Sequence, residues 1–151
     1  MTIANSTRER AQTGPVMEET MGKTFRGHIL LVEDDPSLAR LELGILTAQG
    51  YVVTLVENGE LALSILREIV PDLVLLDLDL PGSVSGWDVL RALRAYAGTF
   101  TTPVLLTSAE AMAQKHLRTS GETRSTLDHL PKPYSISLLL KRIERMLHMT
   151  P

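Results

Sequence analysis

Six side chains of this sequence could act together on a phosphate. Glu33 and Asp34 follow the apolar run Ile29-Leu30-Leu31-Val32, and Asp77 ends Leu73-Val74-Leu75-Leu76. Thr107 and Ser108 end Pro103-Val104-Leu105-Leu106, and Lys132 follows Leu127-Asp128-His129-Leu130. If the four runs are parallel strands, their carboxyl ends share one edge, where open α/β sheets place ligands. Three carboxylates meeting there would repel one another and force up a pKa. A hard divalent cation removes the conflict, and oxygen-only ligands suit Mg²⁺, which keeps some waters and needs few carboxylates. A lysine and a hydroxyl opposite supply a point charge and a neutral donor for a phosphoryl group. The set reads as a carboxylate that accepts or hydrolyses phosphate with metal help.

The elements that must position these groups follow from periodicity and punctuation. An unbroken apolar run of strand length fits a strand buried on both faces. Asp35 is placed to cap a helix opened by Pro36, with Leu38, Leu41, Ile45 and Ala48 at helical spacing and Gly50 as its stop. Tyr51–Val56 is the next strand, and Asn58-Gly59 turns into a helix from Glu60 to Val70, broken by Pro71. Ser85 to Asp88 has capping-box spacing ahead of a third helix, Ala109 to Leu117 forms a weak fourth, and Ser135 caps a fifth with Ile136, Leu139, Leu140, Ile143, Met146 and Leu147 on one side. Strand and helix alternate five times, which argues a doubly wound parallel sheet with helices on both faces.

Composition bounds the function. The 151 residues are 44% hydrophobic and 22% charged, enough for one domain with a core and some spare length. Residues 1–26 have few apolar side chains and no period, and read as a flexible tail or linker before a domain spanning 27–151. A net charge of −3 offers no basic face for nucleic acid. The absence of cysteine excludes disulfides and thiolate metal sites. No apolar run reaches membrane-spanning length and no secretory segment opens the chain, so a cytoplasmic domain without membrane contact is expected.

From about residue 27 to 150 the chain resembles a receiver domain of two-component response regulators, through ILLVEDDP, LVLLDLDLPG, PVLLTSAEA and LPKPY in order. The resemblance implies a flavodoxin-like fold with strand order 2-1-3-4-5. It makes Asp77 the acceptor of a phosphoryl group from a sensor histidine kinase or histidine phosphotransfer protein. Asp34 and Asp77 would ligate Mg²⁺ (or Mn²⁺) together with the Asp79 backbone carbonyl, and Glu33 through water. Lys132, before a cis bond to Pro133, would pair with a phosphoryl oxygen. Ser108 would be the switch hydroxyl and His129 the switch side chain. Asp79 and Glu110 stand where phosphoryl lifetime is tuned. The resemblance further implies a signalling switch rather than an enzyme, with a downstream protein target and a homodimer through the fourth helix, fifth strand and fifth helix. With no effector domain after Pro151, a single-domain regulator or relay intermediate is expected, and a receiver segment of a hybrid kinase is the alternative.

The sequence departs from the family pattern in a longer Asp77–Gly86 loop, in Thr119–Thr126, and at His129, where Tyr or Phe is common. Plainer roles stand beside these: Asp35 as a cap, Ser108 capping the next helix, Trp87 in packing, and Lys141, Arg142, Glu144 and Arg145 as a solvated face. Asp77-Leu78-Asp79 also imitates the nucleophile motif of haloacid-dehalogenase-like phosphatases. That family carries it on the first strand and its metal acids late, whereas here it falls on the third strand and Glu33 and Asp34 come early.

Overall fold

The computed structural model describes residues 24–109 and 111–148. Glu110, the expected tuning acid, and residues 1–23 lie outside the described residues. Ten elements alternate: β1 (Gly27–Val32), α1 (Pro36–Ala48), β2 (Tyr51–Val56), α2 (Gly59–Leu66), β3 (Leu73–Asp77), α3 (Gly86–Ala95), β4 (Val104–Ser108), α4 (Met112–Thr119), β5 (Leu127–Pro131) and α5 (Ile136–His148). The strands form one parallel sheet in the order β2-β1-β3-β4-β5, as expected.

Successive strand residues point to opposite faces, and each face has its own core. Leu30, Val32, Val74, Leu76, Val104 and Leu106 meet α2, α3 and α4. Ile29, Leu31, Leu73, Leu75 and Leu105 meet α1 and α5. β3 and β4 are buried throughout, which is why their sequences are continuous apolar runs rather than alternating ones.

Local chemistry sets the helix starts. The Asp35 carboxylate accepts from the Ser37 and Leu38 amides, Asn58 caps α2 through Leu61, and Ser85 and Asp88 form a reciprocal capping box. α4 has no such device. It begins at Met112 with Ala111 before it and no side-chain cap at that position. α2 ends at Leu66, short of the expected Val70. Pro71 disfavours helical backbone at Val70, and the preceding turn tightens as the Arg67 amide reaches back to the Ser64 carbonyl.

The inward faces of α1 and α2 also differ from expectation. Ala39, Glu42 and Leu46 face the core in α1, and Ala62 and Leu66 in α2, while Leu41 and Leu61 are exposed. Alanine lets a helix approach the sheet closely, so the face is set by small residues that a reading of large apolar spacing passes over.

Candidate functional site

The sheet brings the expected residues to one edge. β1 ends next to β3, with Val32 opposite Leu76, and β3 ends next to β4, with Asp77 opposite Thr107. Glu33 and Asp34 leave β1 beside Asp77, and oxygens of the three carboxylates lie within 4.8 Å of one another. Glu33 and Asp77 are buried, and Asp34 is the most open of the three. The Asp77 carboxylate is oriented by the Asp79 amide, which donates to Oδ1 at 2.9 Å. Gly86, at the start of α3, makes this backing close: a Cβ there would sit 2.5 Å from the Asp77 carbonyl oxygen and 2.6 Å from Leu78 Cα. Any larger residue would push α3 off the strand end.

Among the described residues, one cation pairs with this cluster. Lys132 Nζ stands 3.3 Å from Asp77 Oδ2 and 3.4 Å from Glu33 Oε1. Burial works against its charge, but Asp77 and Glu33 outweigh that and hold its pKa above the ordinary lysine value. Glu33 is pushed up to about 7, first by burial and then by its contact with Asp77. Three acids against one ammonium leave the edge short of positive charge. A second cation fits that deficit, and the donors are all hard oxygens.

Ser108 is buried, and its hydroxyl makes a long 3.5 Å contact to Asp79 Oδ2. Its carbonyl accepts from the Lys132 amide at 3.0 Å and from His129 Nε2 at 3.3 Å. His129 is buried too, and its Nδ1 accepts from the Gln114 side-chain amide at 3.0 Å. With Nε2 donating and Nδ1 accepting, the ring is the neutral tautomer, and burial holds its pKa below the ordinary histidine value. His129 thus links the end of β4 to α4. The peptide bond before Pro133 is cis, as expected.

The sequence missed what surrounds Asp128. Its side chain turns toward α5, opposite to His129, and is nearly inaccessible. Arg142 donates to it at 3.1 Å, Arg145 also bonds it, and Arg124 approaches to 3.7 Å. Arg142 and Arg145 are therefore not merely a solvated face. Arg142 and Arg145 come from a helix more than ten residues away, a distance that no local spacing encodes. Arg94 likewise ties the Thr119–Thr126 stretch, pairing with Glu122 at 2.8 Å and donating to the Thr102 and Thr126 carbonyls. Trp87 packs against His116 with the rings tilted at 54° and their centroids 4.9 Å apart, in a groove of about 750 Å³ between α3 and α4.

Residues 29–144 match the family model of the response regulator receiver domain. The chain belongs to that family. It is 37% identical over 124 residues to the DNA-binding response regulator MtrA of Mycolicibacterium smegmatis, an alignment covering 82% of this chain and 52% of that one. It is 34% identical over 119 residues to the transcriptional regulatory protein BaeR of Escherichia coli, covering 79% and 47%. The chain spans about half the length of these relatives. Among solved structures, the receiver domain of sensor histidine kinase PA1611 from Pseudomonas aeruginosa superposes with a TM-score of 0.70 at 28% identity, over 81% of this chain and 98% of that one, and holds a magnesium ion in its active-site cleft. The receiver is a phosphoacceptor signalling switch of two-component systems, whose receiver domains interact with histidine kinases. The phosphatase alternative finds no support in these matches.

Proposed function

We propose that Asp77 is the phosphoacceptor of this receiver. The observation that carries the reading is the Lys132 ammonium, 3.3 Å from Asp77 Oδ2 within a cluster of three acids. An Asp77 oxygen attacks the donor phosphorus, the bond to the donor histidine nitrogen breaks, and an acyl phosphate forms. Lys132, already at the carboxylate, pairs with a phosphoryl oxygen. The Ser108 hydroxyl leaves Asp79 for the phosphoryl group.

Glu33, Asp34, Asp77 and the Asp79 carbonyl would hold Mg²⁺ or Mn²⁺. That ion, when bound, neutralises charge on the transferring oxygens. The all-oxygen donor set and its uncompensated charge support this fit. Movement of Ser108 would reach α4 through its carbonyl, His129 and Gln114, so the output face comprises α4, β5 and α5. On that face we place a downstream protein target and a homodimer contact.

The phosphoryl donor is a sensor histidine kinase or a histidine phosphotransfer protein. The domain takes phosphate about once per cycle rather than turning over as an enzyme. It uses no nucleic-acid contact, consistent with its net charge of −3. We place it in the cytoplasm; among the described residues no helix is long and apolar enough to cross a membrane. Residues 1–26 act as a tail or linker. A receiver segment of a hybrid kinase is one reading, favoured by the likeness to the receiver domain of sensor histidine kinase PA1611.

Intact-mass spectrometry after treatment with acetyl phosphate and Mg²⁺ tests the acceptor. Wild type gains one phosphate and Asp77→Asn gains none. An equal gain in the variant would sink the assignment.

A further inference from the structure

α1 turns Ala39, Glu42 and Leu46 inward, so a carboxylate stands where an apolar side chain would complete the stripe. Glu42 is 1% exposed. A buried carboxylate is costly unless it is hydrogen-bonded, and here the Tyr134 hydroxyl donates to Glu42 Oε1. Burial pushes the Glu42 carboxyl up, while the Tyr134 hydroxyl and then Lys132 pull it back. Burial and the contact with Glu42 hold the Tyr134 hydroxyl far above its usual value, so the phenol keeps its proton and remains the donor.

Tyr134 lies two residues beyond Lys132, in the short link between β5 and α5. The link is held at one end by the Lys132 amide on the Ser108 carbonyl at 3.0 Å. At the other end Ser135 Oγ accepts from the Leu138 amide at 3.1 Å. Between these points the Tyr134–Glu42 bond fastens the link to α1, the helix that begins just after Glu33 and Asp34. The geometry points to Glu42 and Tyr134 as positioning residues for phosphoryl transfer: the pair ties the Lys132 link to α1 and sets where the Lys132 ammonium stands against Asp77. An apolar pair of similar volume would fill the same space without burying a charge, but it would not fix direction as a hydrogen bond does. This inference rests on the assignment of Asp77 and Lys132 above.

The test measures, side by side, the rate of Asp77 loading from acetyl phosphate and the urea midpoint of the full chain. Tyr134→Phe should load about tenfold more slowly, the scale of loss when a reacting group is slightly misplaced, and should unfold earlier. Glu42→Gln keeps an acceptor for the phenol and should load within about twofold of wild type. The double variant Glu42→Leu/Tyr134→Phe should regain the wild-type midpoint yet load as slowly as Tyr134→Phe. A double variant that regains rate together with midpoint would show packing alone and overturn the inference. So would Tyr134→Phe loading at the wild-type rate. Wild-type protein that takes no phosphate on Asp77 would overturn both this inference and the acceptor assignment.

Discussion

The two ends of this chemistry differ in their charge balance. At the sheet edge, Glu33, Asp34 and Asp77 share one ammonium, that of Lys132. On β5, a single carboxylate, Asp128, is approached by Arg124, Arg142 and Arg145. The first cluster lacks positive charge and leaves room for an incoming cation. The second is more than neutralised and holds α5 to the sheet. Buried or half-buried charges therefore mean different things in the two places, and the sign of the imbalance separates a site from a clamp.

Stability should break the comparison most visibly. Asp128→Asn leaves partly exposed arginines facing a neutral amide at the edge of β5, and removing the buried partner of this ionic cluster costs up to about 3 kcal/mol. Asp77→Asn relieves repulsion with Glu33 and should stabilise the metal-free protein by about 1 kcal/mol. Urea unfolding of both variants checks the opposite signs.

The pH dependence of the metal-free protein comes next. Glu33 is raised from 4.5 to about 7 in the fold, so the folded state binds more protons than the unfolded state between those values. The stability from its neutral form is fully present below pH 4.5 and is lost as pH rises through about 7. The loss amounts to about 3 kcal/mol. Unfolding midpoints across that window should fall in wild type and flatten in Glu33→Gln.

How much of this was legible depends on where each partner sits in the chain. Asp35, Ser85 and Asp88 act within three residues, so their caps could be read directly. The site acids follow buried strands in a parallel sheet, and topology alone brings such ends together. Glu42 was hidden because α1 carries apolar residues on most of its circumference, and the large ones suggested the wrong inward face. Asp128 was hidden because Arg142 and Arg145 arrive from α5, and Gln114 because α4 has neither a side-chain cap nor a strong apolar stripe to fix its start. Contacts made only by tertiary folding leave no spacing to read.

A smaller effect sharpens the comparison at its margin. Asp79 is exposed beside the cluster and accepts from Ser108 Oγ at 3.5 Å. Its charge opposes an anionic donor, partly screened by salt. Asp79→Asn should load from acetyl phosphate several-fold faster at low ionic strength, with the gain shrinking at high. A slower variant, or a gain indifferent to salt, would mean that Asp79 acts by holding Ser108 in place.

The most direct measurement of the charge-balance account is calorimetric titration with Mg²⁺ of wild type, Asp34→Asn and Asp128→Asn, each at a temperature where it is folded. Wild type should bind one ion, Asp34→Asn should bind at least about tenfold more weakly, and Asp128→Asn should bind as wild type does despite its lost stability. Wild type without a Mg²⁺ site, or equal losses of affinity in the two variants, would contradict it.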